Sequence, residues 1–347
     1  MEHRRGMQAS PELERAQGES PGVGPLLIAG VGSIGRRHLE NLTLLGEEGI
    51  ILYRTGETAE DAPSRVVNDL ESALGLRPKA VLVCNPTAFH LKVALQAARA
   101  GCHLFIEKPL SDTMEGIAEL CAEVERQNLA VLVGFQFRFH PALRQIRAWL
   151  LSSAIGEVVS VRAHWGEYLP GWHPGEDYRN GYSARRALGG GVVLTLSHPF
   201  DYLRWLLGDV TAVSAEAVRR SGLGLDVEDT AHVTLRFACG ALGSVSLDYV
   251  ERPPSHELHI VGQRGVIRWR ASDGIAKLED VERGVSHSFA APEGFRRNTM
   301  FVEEMRHFLE CVAGREQPLC TLEDGIRALR IALAAKRAAQ EGRVILV

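Results

Sequence analysis

Leu26-Leu27-Ile28-Ala29-Gly30-Val31-Gly32-Ser33-Ile34-Gly35 decides how this chain is read. Four apolar residues form a short strand, and the glycines after it fit G-x-G-x-x-G. In a chain with 35 glycines that pattern alone is weak. Its surroundings give it meaning: from Arg36 onward, Leu39, Leu42 and Leu45 recur at helical spacing. A strand, a glycine turn and a helix start are the context that dinucleotide binding requires. Gly30 permits the tight turn, Gly32 lets backbone approach a pyrophosphate, and Gly35 allows the helix to pack on the strand. Ser33 and Ile34 then open the helix, whose free N–H groups and positive dipole end suit phosphate.

The alternation continues. Ile50–Tyr53, Ala80–Cys84, His103–Ile106 and Ala130–Val133 read as apolar strands, and Leu91–Ala100 as an Ala-rich helix stopped by Gly101. A further helix capped by Ser111 or Asp112 runs to about Asn128. Apolar strands separated by helices predict a parallel sheet covered on both faces, a doubly wound Rossmann-type α/β domain over 25–141. From Val158 the pattern changes to consecutive alternating strands, 158–163, 211–218, 230–237, 243–249, 258–261 and 265–268. These predict an α+β domain over 142–347 with an open, largely antiparallel sheet. A final helix over about Leu322–Gln340 has two possible docking sites, the first domain or the second.

Composition sets the boundaries. A length of 347 residues favours two domains, and 45% hydrophobic with 24% charged residues is ordinary for a globular protein. A net charge of −4 gives no reason to expect nucleic acid or an anionic membrane as partner. No apolar run approaches the roughly 18–20 residues of a membrane span. Residues 1–24 are polar, lack the apolar middle of a secretory signal, and read as a disordered tail on a cytoplasmic protein. The six cysteines show no C-x-x-C spacing, which argues against a disulfide framework or a zinc site.

The end of the second strand bears on cofactor choice. An acidic residue there favours NAD, but this chain has Tyr53-Arg54-Thr55. Arg54 can pair with a 2′-phosphate and Thr55 can add a hydrogen bond, which favours NADP over NAD; a solvated surface arginine is the plainer alternative.

Two further turns lie at the carboxyl ends of strands, where ligands of open α/β sheets bind. They are Val83-Cys84-Asn85-Pro86-Thr87-Ala88-Phe89-His90 and Phe105-Ile106-Glu107-Lys108-Pro109-Leu110. With the glycine loop, Asp229-Thr230-Ala231, the Gly240 turn and Ile260–Ile267, they resemble the glucose–fructose oxidoreductase and inositol dehydrogenase (Gfo/Idh/MocA) family over nearly the whole chain beyond the tail. The resemblance implies an NAD(P)-dependent oxidoreductase with Lys108 beside the nicotinamide and a cis bond before Pro109. It also implies that Glu107 touches cofactor or orients Lys108, and that Cys84, Asn85, Pro86, Thr87 and His90 line the nicotinamide–ribose side. His90 serves equally as a structural cap. The family's sheet commonly forms an oligomer interface, which implies a homodimer or homotetramer.

Gly189-Gly190-Gly191-Val192-Val193-Leu194-Thr195-Leu196-Ser197-His198-Pro199-Phe200-Asp201 resembles the family's catalytic helix segment, with His198 matching its histidine. Imidazole titrates near neutral pH, as a general base should. The family's aspartate is missing: Thr195 stands there counted from the glycines, Leu194 counted back from His198. Asp201 reads as a structural hydrogen-bonding residue. Between His164 and Arg186, aromatics interleave with charges, including Tyr168, Trp172, Asp177, Tyr182 and Arg185. Such a mixture suits a polyhydroxylated ring, or else packs as an oligomer arm. Arg138 and His140 also fit the family's substrate side, and Arg138, Arg185 and Arg186 are candidates for holding an anion. His164, His173, Glu167 and Asp177 are spaced too irregularly to argue for metal.

The function expected is hydride transfer between nicotinamide and a secondary alcohol of a sugar, sugar acid, cyclitol or nucleotide sugar. Two alternatives stand beside it: a cofactor-assisted glycosidase, and a non-catalytic dinucleotide sensor suggested by the missing aspartate.

Overall fold

The computed structural model describes residues 24–55 and 64–347; the polar tail expected over 1–24 lies almost wholly outside them. The first half begins with β1 (Leu26–Ala29), α1 (Ser33–Leu44), β2 (Ile51–Tyr53), β3 (Arg65–Val67) and α2 (Leu70–Leu74). It continues through β4 (Ala80–Val83), α3 (His90–Arg99), β5 (His103–Glu107), α4 (Ile117–Gln127), β6 (Val131–Gly134) and α5 (Pro141–Leu151). Its six strands lie in the order β3-β2-β1-β4-β5-β6, all parallel, as the apolar runs predict.

The second half contributes β7 (Val158–Gly166), α6 (Val192–Thr195), α7 (His198–Leu207), β8 (Val210–Val218), β9 (Thr230–Phe237), β10 (Leu242–Asp248) and β11 (Ser255–Gly262). Then come β12 (Gly265–Arg270), β13 (Ile275–Asp280), β14 (Val285–Ala290), α8 (Arg297–Val312), α9 (Leu322–Glu341) and β15 (Ile345–Leu346). Nine strands form one sheet, β14-β13-β12-β11-β7-β10-β9-β8-β15, antiparallel except for β7 beside β10. Burial alternates along its strands: Ala231, Val233 and Leu235 are buried, while His232, Thr234 and Arg236 are exposed. One face therefore packs on helices and the other is open.

The first sheet explains how the halves meet. Leu26 and Ile28 point to one face, where Leu42 of α1 and Met305, Phe308 and Val312 of α8 complete an apolar cluster. Leu27 and Ala29 point to the other face, into the core that is continuous with the second half. A helix from late in the chain thus covers the first sheet. The final helix α9 touches both halves. It packs along β8, and Gly325 lies so close to Val133 of β6 that a Cβ there would meet its side chain at 2.7 Å. Among the described residues no helix is long and apolar enough to cross a membrane.

Candidate active site

The glycine loop has the geometry its sequence predicts. Gly30 adopts φ +103°, and a Cβ there would lie 2.5 Å from the Asn85 amide. A Cβ on Gly35 would lie 2.0 Å from the Gly30 carbonyl oxygen, so only glycine allows α1 to seat on β1. Gly32 has nothing within 4 Å of that position, and α1 has no side-chain cap. Its first N–H groups are left for an anionic ligand, which fits a dinucleotide pyrophosphate.

A cleft of about 1610 Å³ runs from this loop across the seam between the halves. Ordinary small-molecule sites occupy about 300–1,000 Å³, so there is room for a dinucleotide and a second ligand. Gly30, Gly32, Ser33, Ile34, Arg54 and Thr55 line one end. Cys84, Asn85, Pro86, Thr87, His90, Glu107 and Lys108 line the middle. Trp172, Tyr182, Thr195 and His198 line the far wall. The glycine run closes the seam, since a Cβ on Gly189 would lie 2.8 Å from the Thr87 side chain.

At the floor, Lys108 Nζ donates to the Thr195 carbonyl at 2.8 Å, joining the turn after β5 to the end of α6. The Lys108–Pro109 peptide is cis, as the resemblance implied. Burial would push the Glu107 carboxyl up, yet the His38 hydrogen bond, His38's charge and Lys108 hold it below its ordinary value. Its Oε1 lies 2.7 Å from His38 Nε2, and its Oε2 accepts from the Lys108 backbone N–H at 3.1 Å. His90 sits between two carbonyl oxygens, Pro109 at 2.9 Å and Asn85 at 2.7 Å, and so ties the two turns together.

His198 opens α7 and is almost wholly buried, with ring centroids 5.0 Å from Phe137 and 5.3 Å from Trp165. Burial first, then Lys108, His256 and Arg297, hold its pKa well below the usual imidazole value, so the ring is neutral. His198 Nδ1, Asn85 Oδ1 and Trp172 Nε1 are buried without a partner among the described residues, and all three residues border the cleft. Orphaned polar atoms of this kind point to a ligand. Thr195, not Leu194, lines the cleft; its hydroxyl has the Tyr249 phenol nearby and no regular hydrogen bond.

Residues 26–135 match the oxidoreductase family with an NAD-binding Rossmann fold, and residues 143–268 match the GFO/IDH/MocA C-terminal domain. The chain belongs to the Gfo/Idh/MocA oxidoreductase family. Myo-inositol 2-dehydrogenase of Thermotoga maritima is 27% identical over 347 residues, spanning 92% of this chain and 97% of that one. Levoglucosan dehydrogenase of Pseudarthrobacter phenanthrenivorans is 30% identical over 187 residues, 47% of each chain. Levoglucosan dehydrogenase solved with NADH and levoglucosan has a TM-score of 0.84 at 20% identity, covering 93% of this chain and 99% of that one, and speaks for the fold.

Within the Gfo/Idh/MocA frame several sequence-based assignments need correction. Arg138 is not on the substrate side. It is 2% exposed, grips Asp201 through both oxygens at 2.6–3.2 Å, and reaches Asp324 at 3.1 Å. This pairing makes Asp201 structural, as expected. His140 accepts from Ala142 N–H to cap α5, packs on Trp269 and Phe295, and is pushed down to about 4 by burial. Charged groups of the long loop are engaged within the protein: Asp177 pairs with Arg179, the Arg185 guanidinium donates to Asn180 Oδ1, and the Arg186 guanidinium donates to the Asp226 carbonyl. Tyr168 lies under the Arg252 guanidinium at 4.1 Å, away from the cleft. Of that loop's candidates, Trp172 and Tyr182 reach the cleft.

His164 gathers not with His173, Glu167 and Asp177 but with Asp248 and Glu251, their ligand-type atoms all within 4.8 Å. Alternation along β7 puts this half-exposed group on the opposite face from Trp165. Sequence reading missed Arg37, His38 and Arg297, because only tertiary packing brings α1 and α8 to the same cleft.

Proposed function

We propose that this oxidoreductase interconverts a secondary alcohol and a ketone on a sugar- or cyclitol-type ring, with NADP(H) preferred. The observation that carries the reading is the Lys108–Thr195–His198 floor, set where the glycine-loop cleft meets the second half. Bound in the cleft, the nicotinamide would supply hydride acceptance or donation. His198, neutral through burial, takes the hydroxyl proton. Lys108, anchored by one hydrogen bond, keeps donors for the substrate oxygen as charge develops on it. Thr195 contributes a hydroxyl where the family resemblance implies a carboxylate, which leaves the imidazolium to be balanced by other groups.

The NADP preference rests on Arg54 and Thr55 at the cleft rim. Arg54 has no ion-pair partner among the described residues. Asp69 also borders the cleft, where its Oδ2 accepts from Ser72 N–H at 2.7 Å to cap α2. The open face of the nine-stranded sheet supports a homodimer or homotetramer.

The test is a fluorescence titration with NADPH and NADH, followed by turnover on a panel of polyols and sugar acids. Tighter NADPH binding that Arg54→Asp reverses is the expected outcome. Lys108→Met is expected to retain cofactor and lose about 10²-fold or more in rate. Retained binding without turnover on any polyol or sugar acid would return the site to a silent sensor. Binding of neither nucleotide would remove the oxidoreductase reading itself.

A further inference from the structure

The cleft holds two guanidinium groups that the proton chemistry does not use. Arg37 lies on α1, with its guanidinium carbon 4.7 Å from the centre of the Phe301 ring. Arg297 opens α8 four residues before Phe301, on the same helix face. Both border the cleft. Burial and then the charge of Arg297 pull the Arg37 pKa below its ordinary value; Glu107 and Glu40 act in the opposite sense without reversing it. Arg297 borders the same cleft as Lys108 and His198, and its charge lowers the proton affinity of His198 and His256.

Among the described residues no carboxylate, Glu40 included, forms an ion pair with either guanidinium. Glu107 is engaged by His38 and the Lys108 N–H. Glu167 accepts from the Trp165 indole. Glu304, fully buried on α8, is pushed well up by burial and by Glu107 and Asp201, which favours its uncharged form. Neither guanidinium has an ion-pair or hydrogen-bond partner among the described residues. The arginines first assigned to an anion, Arg138, Arg185 and Arg186, are all engaged elsewhere.

We propose that Arg37 and Arg297 form a subsite for an anionic substituent of the substrate, so that the enzyme acts on acidic sugar derivatives in preference to neutral polyols. This rests on the dehydrogenase reading above. Planar guanidinium forks match a carboxylate or a phosphate, and a bound anion relieves the repulsion between the two cations. A neutral ring leaves that repulsion in place. The same anion also screens Arg297 from His198, raising the proton affinity of the base when an acidic substrate is seated.

The test uses the NADPH-loaded protein and calorimetric titration with glucose, glucuronate and a hexose phosphate. At least one acid is expected to bind about 10-fold or more tightly than glucose, with the preference falling as salt rises. Arg297→Gln should abolish the preference and leave the NADPH Kd unchanged, while Arg297→Lys should retain part of it. Which acid responds distinguishes a carboxylate from a phosphate ligand. The proposal is overturned if glucose binds as well as both acids, or if neither acid binds. It is equally overturned if Arg297→Gln and Arg37→Gln weaken NADPH as much as the acid, which would assign both arginines to the cofactor's phosphates. Failure of the dehydrogenase reading looks different: the unaltered protein would bind no nicotinamide nucleotide, or would bind it and turn over neither polyols nor sugar acids.

Discussion

Arg138 shows how a residue's neighbours decide its role. Its guanidinium is shared between Asp201 of α7 and Asp324 of α9, and it also donates to the Leu319 carbonyl at 2.7 Å. Arg138→Met would strand a buried carboxylate, with an expected cost of about 3–5 kcal/mol in urea unfolding. Adding Asp201→Leu should recover much of that loss, because the buried charge is removed with its partner. Glu304 is the converse case, a buried carboxyl with neither oxygen paired. Burial raises its folded pKa above the unfolded value of about 4.3. As pH climbs past that unfolded value, the unfolded chain ionises while the folded one stays protonated, so this group costs stability with rising pH. Glu304→Met is therefore expected to stabilise the protein by about 1–3 kcal/mol near pH 8 and by less near pH 4.5, as read from thermal melts.

At the scale of elements, the seam between β1 and α1 admits no side chain. Gly35→Ala should destroy cofactor binding and lower the melting temperature, since its Cβ would meet the Gly30 carbonyl at 2.0 Å. Intact NADPH binding in that variant would show that the loop adapts. The other elements show which signals are readable. The first-half strands were legible because both faces are buried and their sequences are continuously apolar. The helix assigned from Ser111 or Asp112 begins instead at Ile117. Ser111 and Thr113 bond to backbone N–H groups two residues on, making turns, and Gly116 adopts φ +77° before the helix can start. The helix α8 is preceded by Arg296, which has none of the usual capping oxygens, so its start carries no familiar sequence signal. The strand β14 is an edge, almost entirely exposed, and shows no apolar alternation to read.

The whole molecule is joined by elements that cross its midline. Met305 and Phe308 of α8 cover the first sheet, and α9 lies against both β6 and β8. The halves are therefore expected to unfold together, and the cleft between them depends on that joint packing. Among the described residues nothing covers the outer face of the large sheet. Thr234 and Ser244 lie opposite each other on β9 and β10 near its middle, both exposed. If that face is the proposed oligomer interface, light scattering should give a dimer or tetramer, and Thr234→Arg should shift it towards monomer by burying unpaired charge. A monomeric unaltered protein would refute the proposed interface.

The sequence alone determined what local chemistry controls. The glycine spacing, the apolar strands and the Pro-containing turns each depend on a few neighbouring residues, and they placed the cleft; Lys108, His198 and the Thr195 or Leu194 position were implied by the family resemblance. Tertiary structure decided what depends on partners far along the chain. Arg138 meets Asp201 and Asp324 across separations of 63 and 186 residues, and Arg37 reaches Phe301, one turn from Arg297, only because α8 folds back over α1. A buried charge is assigned by the groups that compensate it. No local pattern records which distant segment will bring them.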